Sequence, residues 1–329
     1  MPEGTGGAGK SVTIVVPVFN EEGNVGALVE RIARELAPLR ERWSILFVDD
    51  GSRDDTLARL RAIAAAEPRV SAVAFSRNFG KEAAIAAGLR FARGDAVVVM
   101  DADLQHPPEI VPRFIEAWRA GNEMVFGLRL NRAGESRSRS RLSKLFYQMF
   151  MRVSDLDIPE GATDFVLLDR KAVEAMNALG ERCRFTKGLY SWIGFRRTLV
   201  PFAVAERHHG GSRWSLVKLG NYAVDAFSSF SSLPLKMWSY VGMAVSLTAI
   251  GYAIYFVIQT LLHGVDVPGF PSLIVSITFF AGVQLISLGV LGEYVGRLYQ
   301  EVKQRPLFVV AERIGGTDDK PDAAATSAR

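Results

Sequence analysis

Two stretches without a charged residue constrain this chain most: Met237 to Leu262, MWSYVGMAVSLTAIGYAIYFVIQTLL, and Ser272 to Leu291, SLIVSITFFAGVQLISLGVL. Each is about as long as the roughly 20 apolar residues a helix needs to cross a bilayer. A buried helix of a soluble core is the other reading, but two such stretches rarely share one soluble domain. The link between them, HGVDVPGFP, carries Asp266 and no Lys or Arg, whereas Lys218 and Lys236 precede the pair and Arg297, Lys303 and Arg305 follow it. That asymmetry predicts a hairpin of two transmembrane helices with both ends in the cytoplasm. Met1 to Lys10 is glycine-rich and lacks the apolar core of a signal peptide, so the large N-terminal part is expected to stay cytoplasmic.

Upstream, apolar runs alternate with helical periodicity. SVTIVVPVF reads as a strand, and EEGNVGALVERIARELAPL has the 3.6-residue period with acidic residues at its start, favourable for the helix dipole. WSILFVDD is the next strand, and GSRDDTLARLRAIAAAE opens with turn and cap residues before a helix. VSAVAFS, a helix from about Gly80 to Arg93, DAVVVM, a helix from about Pro107 to Ala120, and EMVFGLR continue the alternation. The pattern predicts an α/β fold, a mainly parallel sheet with helices on both faces. With 329 residues, 49% of them hydrophobic, the chain can bury a sizeable core. Polar residues cluster where strands end, at Asn20 and Glu21, Asp49 and Asp50, Ser76 and Arg77, Asp101 and Asp103, and Arg129, so they are expected to converge on one crevice.

Within VVVMDADLQHPPE, Val97 to Val99 read as a buried parallel strand. Asp101 and Asp103 then emerge at its carboxyl end, where α/β sheets hold ligands. Two hard oxygen ligands on a rigid strand suit Mg²⁺ or Mn²⁺, which take carboxylates together with substrate phosphates. The same pair also suits a polar strand-to-loop turn, and these residues alone leave both readings open.

Gly4 to Ser11, GTGGAGKS, satisfies the phosphate-loop pattern but has no strand before it and an extended run after it, so it is read as a flexible terminus. The single cysteine, Cys183, excludes an intrachain disulfide and a cysteine metal cluster and is compatible with a reducing compartment. The net charge of +4 is modest, and many basic residues lie near the apolar segments. Such a distribution fits anionic lipid headgroups rather than nucleic acid, for which no groove-reading motif is present. GGTDDKPDAAATSAR reads as a disordered tail.

PVFNEE, VDDGSRDDT, FSRNFGKEAAIAAGL, DADLQHPPE, GATDFVLLDR and RHHGGSRW resemble, in order and spacing, the family 2 glycosyltransferases that load a sugar onto a polyprenyl phosphate. The resemblance is to bacterial undecaprenyl-phosphate glucosyltransferases and aminoarabinose transferases, and more distantly to dolichol-phosphate mannose synthases. It covers about Val12 to Pro306, both apolar stretches included. It implies a Rossmann-like GT-A domain, a nucleotide-sugar donor, Mg²⁺ or Mn²⁺, and inverting hexosyl transfer to undecaprenyl phosphate for cell-envelope glycosylation. The expected organisation is a flexible N-terminus (1–11), a cytoplasmic GT-A domain (12–212), an interfacial amphipathic helix (213–235), a two-helix transmembrane hairpin (236–297) and a cytoplasmic C-terminal segment with a disordered tail (298–329). The protein would then sit in the cytoplasmic (inner) membrane as a multi-pass protein with both termini inside.

Carried over residue by residue, the resemblance implies that Pro17, Phe19 and Glu21 line the nucleotide pocket, with Val48 and Asp50 flanking base and ribose. Capping of the following helix is the alternative for Asp49 and Asp50. Asp101, Ala102 and Asp103 would hold nucleotide and metal, with Gln105 as a further oxygen ligand. Arg129 and Arg132 would face the donor diphosphate or the acceptor phosphate, guanidinium being the bidentate phosphate partner. A solvated loop position suits Arg132 equally. Asp164 in GATDFVLLDR matches the family's catalytic aspartate, and a turn Asp before the strand FVLL is its alternative. An acceptor phosphate is already an anion, so Asp164 is assigned to positioning or optional base duty.

Arg207, Ser212 and Arg213 match the family's membrane-proximal phosphate-binding motif, in which Lys often stands where this chain has Arg213; Gly210 permits close backbone approach. His208 and His209, adjacent in a strand, would face opposite sides, which argues against joint metal ligation. Trp214 through Phe230 reads as an amphipathic helix for the headgroup layer, or as one packed on the catalytic domain. The basic run with Arg137, Arg139, Arg141 and Lys144 suits a solvated face or headgroup contact.

Two other classes compete. A processive polysaccharide synthase normally carries Q-x-x-R-W, and Gly210 stands where its Gln belongs. A scaffold without chemistry is disfavoured by the presence of Asp101, Asp103, Asp164 and Arg207. The expected partners are a nucleotide-sugar, with UDP-glucose first, a polyprenyl phosphate lipid and the bilayer. Nucleic acid is not expected, and a homo-oligomer is left open.

Overall fold

The computed structural model describes residues 9–130, 162–182, 184–203, 233–263 and 269–316. The expectations for Arg132, Arg207, His208, His209, Ser212 and Arg213, for the basic run 131–148 and for residues 213–232 of the amphipathic segment 213–235 lie outside the described residues.

The alternation predicts most of the elements found: β1 (Ser11–Val18), α1 (Val25–Leu36), β2 (Arg42–Asp49), α2 (Thr56–Ala66), β3 (Val70–Phe75), α3 (Lys81–Phe91) and β4 (Ala96–Val99). A 3₁₀ turn at Pro108–Ile110 leads into α4 (Val111–Arg119), followed by β5 (Met124–Arg129). After the undescribed stretch come β6 (Ala162–Asp169), α5 (Arg170–Ala178), α6 (Thr186–Trp192) and β7 (Arg197–Phe202). Two long helices, α7 (Leu233–His263) and α8 (Phe270–Val302), precede β8 (Val310–Ile314). The sheet with α1 to α6 forms one compact unit, and α7 with α8 a second.

The eight strands form one mixed sheet in the order β7-β5-β6-β4-β1-β2-β3-β8. β1 pairs in parallel with both β2 and β4, and β2 with β3. The chain thus winds outward from β1 through β2 and β3, then crosses back over α3 to β4 on the other side. The strand order reverses at β1 and β4, which opens a crevice at their carboxyl ends. β6 runs antiparallel to both β4 and β5, and β7 pairs in parallel with β5.

Apolar periodicity decides how the layers pack. Val25, Leu28, Ile32 and Leu36 recur at helical spacing and form the buried stripe of α1. Each such side chain contributes about 1.5–3 kcal/mol on burial. α3 lies so close to β1 that a Cβ at Gly88 would run into the Val15 side chain. That contact fixes where the N-terminus of α3 meets the crevice.

Three features differ from the sequence reading. Glu21 and Glu22 precede α1 instead of opening it, and no acidic residue stands in its first turn. Glu21 instead accepts from Asn24 Nδ2 at 2.6 Å, and Glu22 accepts from the Asp55 N–H at 3.0 Å, so the pair fastens loops. Second, the expected mainly parallel sheet is mixed: β6, from far along the chain, lies between β4 and β5 and runs antiparallel to both. Third, the segment after α8 returns to the sheet, where β8 pairs antiparallel with β3. There Phe308 stacks on Phe75 at 5.0 Å, and Arg61 holds Glu312 at 2.6 Å.

Gly9 and Lys10, the described end of the glycine-rich motif, sit at the start of β1, and Lys10 lies over the Trp118 ring at 4.5 Å. The crevice is at the other end of that eight-residue strand, about 23 Å away at 3.3 Å per residue. This placement separates the motif from the crevice.

In the second unit, α7 and α8 cover the two expected apolar stretches, and none of their described side chains is buried. Tyr240, Met243, Leu247, Leu261 and Leu285 are all more than 60% exposed. Among the described residues one stretch, Phe279–Val302, is long and apolar enough to cross a membrane, with a mean hydropathy of 1.4.

Candidate active site

The crevice is a cleft of about 330 Å³. Pro17 and Val18 end β1 and Phe19 and Glu21 follow it, Asp50 follows β2, Asn78, Gly80, Lys81 and Ala84 enter α3, and Asp101, Ala102 and Asp103 follow β4. The sequence reading names seven of these. Val48 differs from expectation: it is 0% exposed within β2 and does not line the cleft. Arg129, at the end of β5, and Gln105 are likewise not among the lining residues.

Beyond β4 the chain turns sharply. Leu104 adopts φ 61° while buried at 1% exposure, a conformation that costs a branched residue about 1–3 kcal/mol. The turn lets the Gln105 N–H donate to Asp103 Oδ1 at 3.1 Å and brings His106 back beneath Asp101. The Asp101 N–H donates to His106 Nδ1 at 3.0 Å, which makes that nitrogen an acceptor and the imidazole neutral. The ring stacks on Phe165 at 5.0 Å. Burial lowers the affinity of His106 for a second proton, and it outweighs the opposing pull of Asp101.

Asp164, on β6, meets this loop through Lys81. The Lys81 ammonium lies 2.6 Å from Asp101 Oδ1 and 3.1 Å from Asp164 Oδ2, and Lys187 on α6 lies 3.6 Å from Asp164 Oδ1. These charges form a row across the cleft, Asp101–Lys81–Asp164–Lys187. Burial raises the pKa of Asp164, but Lys187 and Lys81 outweigh it and hold the carboxyl well below the usual carboxylate range. Burial likewise works against the charge of Lys81, and Asp101 and Asp164 raise it well above the ordinary lysine value. The row is open to solvent, with side chains 43%, 31% and 26% exposed for Lys81, Asp101 and Asp164. Asp164 at neutral pH is therefore an anion and a weak base.

Asp50 is buried at 4% exposure and accepts from the Phe79 N–H at 2.6 Å and the Gly80 N–H at 2.9 Å. Both its oxygens thus pin the loop that opens α3, while the residue still lines the cleft. Asp49 accepts from Ser52, so it stabilises the turn after β2.

Asp101 and Asp103 are the cleft's paired oxygen donors after β4, alongside the carboxylates of Glu21 and Asp50. Among the described residues no group of three or more His, Cys, Asp or Glu could enclose a metal ion. An open pair of carboxylates suits Mg²⁺ or Mn²⁺, which complete their shell with water and substrate phosphate.

The sequence reading assigns no role to Lys81 or His106. For Lys81 a signal is present in FGKEAA: a cation at the first position of a helix opposes the dipole, so its placement there points to nearby carboxylates. For His106 no local signal exists, because its partner is a backbone group set by the turn at Leu104.

A doubly wound sheet whose strand-end carboxylates face a switch-point cleft has the arrangement of an α/β ligand-binding module. The family description Glycosyl transferase family 2 matches residues 13–176, and GtrB C-terminal hairpin matches residues 233–298. An uncharacterized glycosyltransferase of Synechocystis is 45% identical over 304 residues, covering 92% of this chain and 96% of that protein. The SfII prophage-derived bactoprenol glucosyl transferase of Shigella flexneri is 42% identical, covering 91% and 97%. A putative glycosyltransferase of Bacillus subtilis is 42% identical, covering 94% of each chain. The chain belongs to glycosyl transferase family 2 and is a glycosyltransferase.

Proposed function

We propose that this protein transfers a sugar, with inversion, from a UDP-sugar to a polyprenyl phosphate, with UDP-glucose as donor and undecaprenyl phosphate as acceptor. The observation that carries this reading is one chain joining the Asp101–Asp103 cleft to long apolar helices with outward-facing side chains. A water-soluble donor and a lipid acceptor need both parts. The 42% identity to a bactoprenol glucosyl transferase across nearly the whole chain supports the same acceptor.

In this reading Pro17, Phe19, Glu21, Asp50, Ala102 and Arg129 serve the nucleotide-sugar, and Arg132, Arg207, Ser212 and Arg213 serve the lipid phosphate. Asp101 and Asp103, with Gln105, would hold Mg²⁺ or Mn²⁺, which when bound supplies charge neutralisation to the leaving diphosphate. An oxygen of the acceptor phosphate attacks the anomeric carbon from the side opposite the diphosphate. The new C–O bond forms as the old one breaks, and nucleoside diphosphate departs. No proton has to be removed from the attacking oxygen. The low proton affinity of Asp164 supports positioning over base duty.

The helices α7 and α8 are assigned as a two-span hairpin in the cytoplasmic membrane, with the catalytic unit and both termini inside, from the flanking Lys and Arg. Membranes containing the protein, incubated with radiolabelled UDP-glucose, should label an organic-soluble lipid only when undecaprenyl phosphate is present. Labelling from another sugar nucleotide alone changes the donor, and labelled polymer in place of lipid favours a processive synthase.

A further inference from the structure

Lys81 occupies an electrostatically unusual place. It opens α3, where the helix dipole disfavours a cation, yet its ammonium bridges Asp101 on one side of the cleft and Asp164 on the other at 2.6 and 3.1 Å. The remaining oxygen of Asp101, Oδ2, faces His106 Nδ1 at 3.8 Å, and that nitrogen carries no proton because it accepts the Asp101 N–H. Lys81 is thus the cation in ion-pair range of Asp101 among the described residues. It is also 43% exposed on a flexible four-carbon stem, so it can leave Asp101 without unpacking the core.

We propose that Lys81 is the resident counter-ion of the donor-free site and the diphosphate-positioning residue of the loaded one. This rests on the proposed donor chemistry. A divalent ion and an ammonium compete for the same carboxylate oxygen of Asp101, since each repels the other at contact distance. Lys81 therefore weakens metal binding to the bare protein. Once displaced, its ammonium still lies on the cleft wall beside Asp101 and Asp103, where it can make charge-assisted hydrogen bonds to phosphate oxygens. Metal and nucleotide then bind cooperatively, each favouring the position of Lys81 that the other needs. In the donor-free site the same side chain keeps the carboxylates of β4 and β6 from repelling each other.

The test uses the purified full chain in detergent, with Mn²⁺ binding read by electron paramagnetic resonance with and without UDP, and UDP binding read by calorimetry with Mn²⁺ present. Lys81→Met is expected to bind Mn²⁺ alone about tenfold more tightly than the parent and UDP with Mn²⁺ about tenfold more weakly, the scale of one neighbouring charge. Lys81→Arg keeps the charge and should restore the parent pattern. Lys81→Gln provides a second neutral variant should Lys81→Met lose its fold. Unchanged or weaker Mn²⁺ binding by the folded neutral variants overturns the role given to Lys81, as does a Lys81→Arg protein that behaves like them. A parent protein that binds no UDP with Mn²⁺ overturns the donor reading itself. That outcome is distinct from a parent that binds both while the variants leave the coupling intact.

Discussion

The Asp101 N–H and His106 Nδ1, five positions apart, close a loop at 3.0 Å, with the imidazole stacked on Phe165 at 5.0 Å. This bond holds the strand-end carboxylates in the cleft while the strained Leu104 supplies the turn. Replacing His106 by Phe leaves the buried N–H without its acceptor and should cost about 1–3 kcal/mol of stability. His106→Asn, whose Oδ1 can stand where Nδ1 stood, should recover much of that loss. Urea unfolding of the two variants checks it, and equal losses for both would show that the ring's packing matters and the bond does not.

Asp103→Ala should abolish sugar transfer while the protein stays folded and inserted, because one of two strand-end carboxylates is lost. Asp103 lines the cleft just after β4, and its Oδ1 accepts from the Gln105 N–H at 3.1 Å. Near-parental lipid glycosylation by the variant at saturating Mg²⁺ or Mn²⁺ would contradict the metal assignment.

Asp95 joins β4 to β1, accepting from the Ser11 N–H at 2.7 Å and its hydroxyl at 2.8 Å. These bonds hold its carboxyl below the ordinary carboxylate value. The folded chain therefore binds fewer protons than the unfolded chain, so this stabilisation is fully present above the unfolded value and is lost as pH falls through the depressed native one. The stability gap between the parent and Asp95→Asn should be flat above about pH 5 and shrink as pH falls below about 3.9. Urea midpoints across that range, followed by tryptophan fluorescence, decide it; a gap that stays constant into acid contradicts the assignment.

β8 closes the β3 edge of the sheet, and Phe308 before it stacks on Phe75 at 5.0 Å and meets Phe91 edge-on at 6.1 Å. Phe308→Ala should destabilise the catalytic unit by about 1–2 kcal/mol. Termination of the chain before Pro306 should do more and should promote aggregation, because it exposes an unpaired strand edge. Thermal unfolding of both proteins measures the difference, and a truncated chain as stable as the parent would show that β8 adds nothing to the fold.

The first six elements were legible because continuous apolar runs alternate with helical periodicity, and Asp101 and Asp103 were legible because Val97 to Val99 fix where β4 ends. The insertion of β6 between β4 and β5 was not, since strand order depends on long-range pairing that periodicity does not encode. β8 was missed for the same reason: a five-residue strand after a long apolar helix carries a weak signal, and its partner β3 lies more than 200 residues upstream. Val48 was misread because spacing alone cannot say whether a strand residue faces the cleft or the interior. Lys81 stands within FSRNFGKEAAIAAGL, and only the fold shows which carboxylates it reaches.

The central claim, inverting transfer from a UDP-sugar to a polyprenyl monophosphate, is tested most directly by product analysis. Purified protein in vesicles with undecaprenyl phosphate, UDP-glucose and Mg²⁺ or Mn²⁺ should yield a lipid whose mass equals undecaprenyl phosphate plus one hexose. Its anomeric configuration by nuclear magnetic resonance should be opposite to that of the donor, with one UDP released per sugar transferred. A product that retains the donor's configuration, carries a diphosphate or grows beyond one sugar would contradict it.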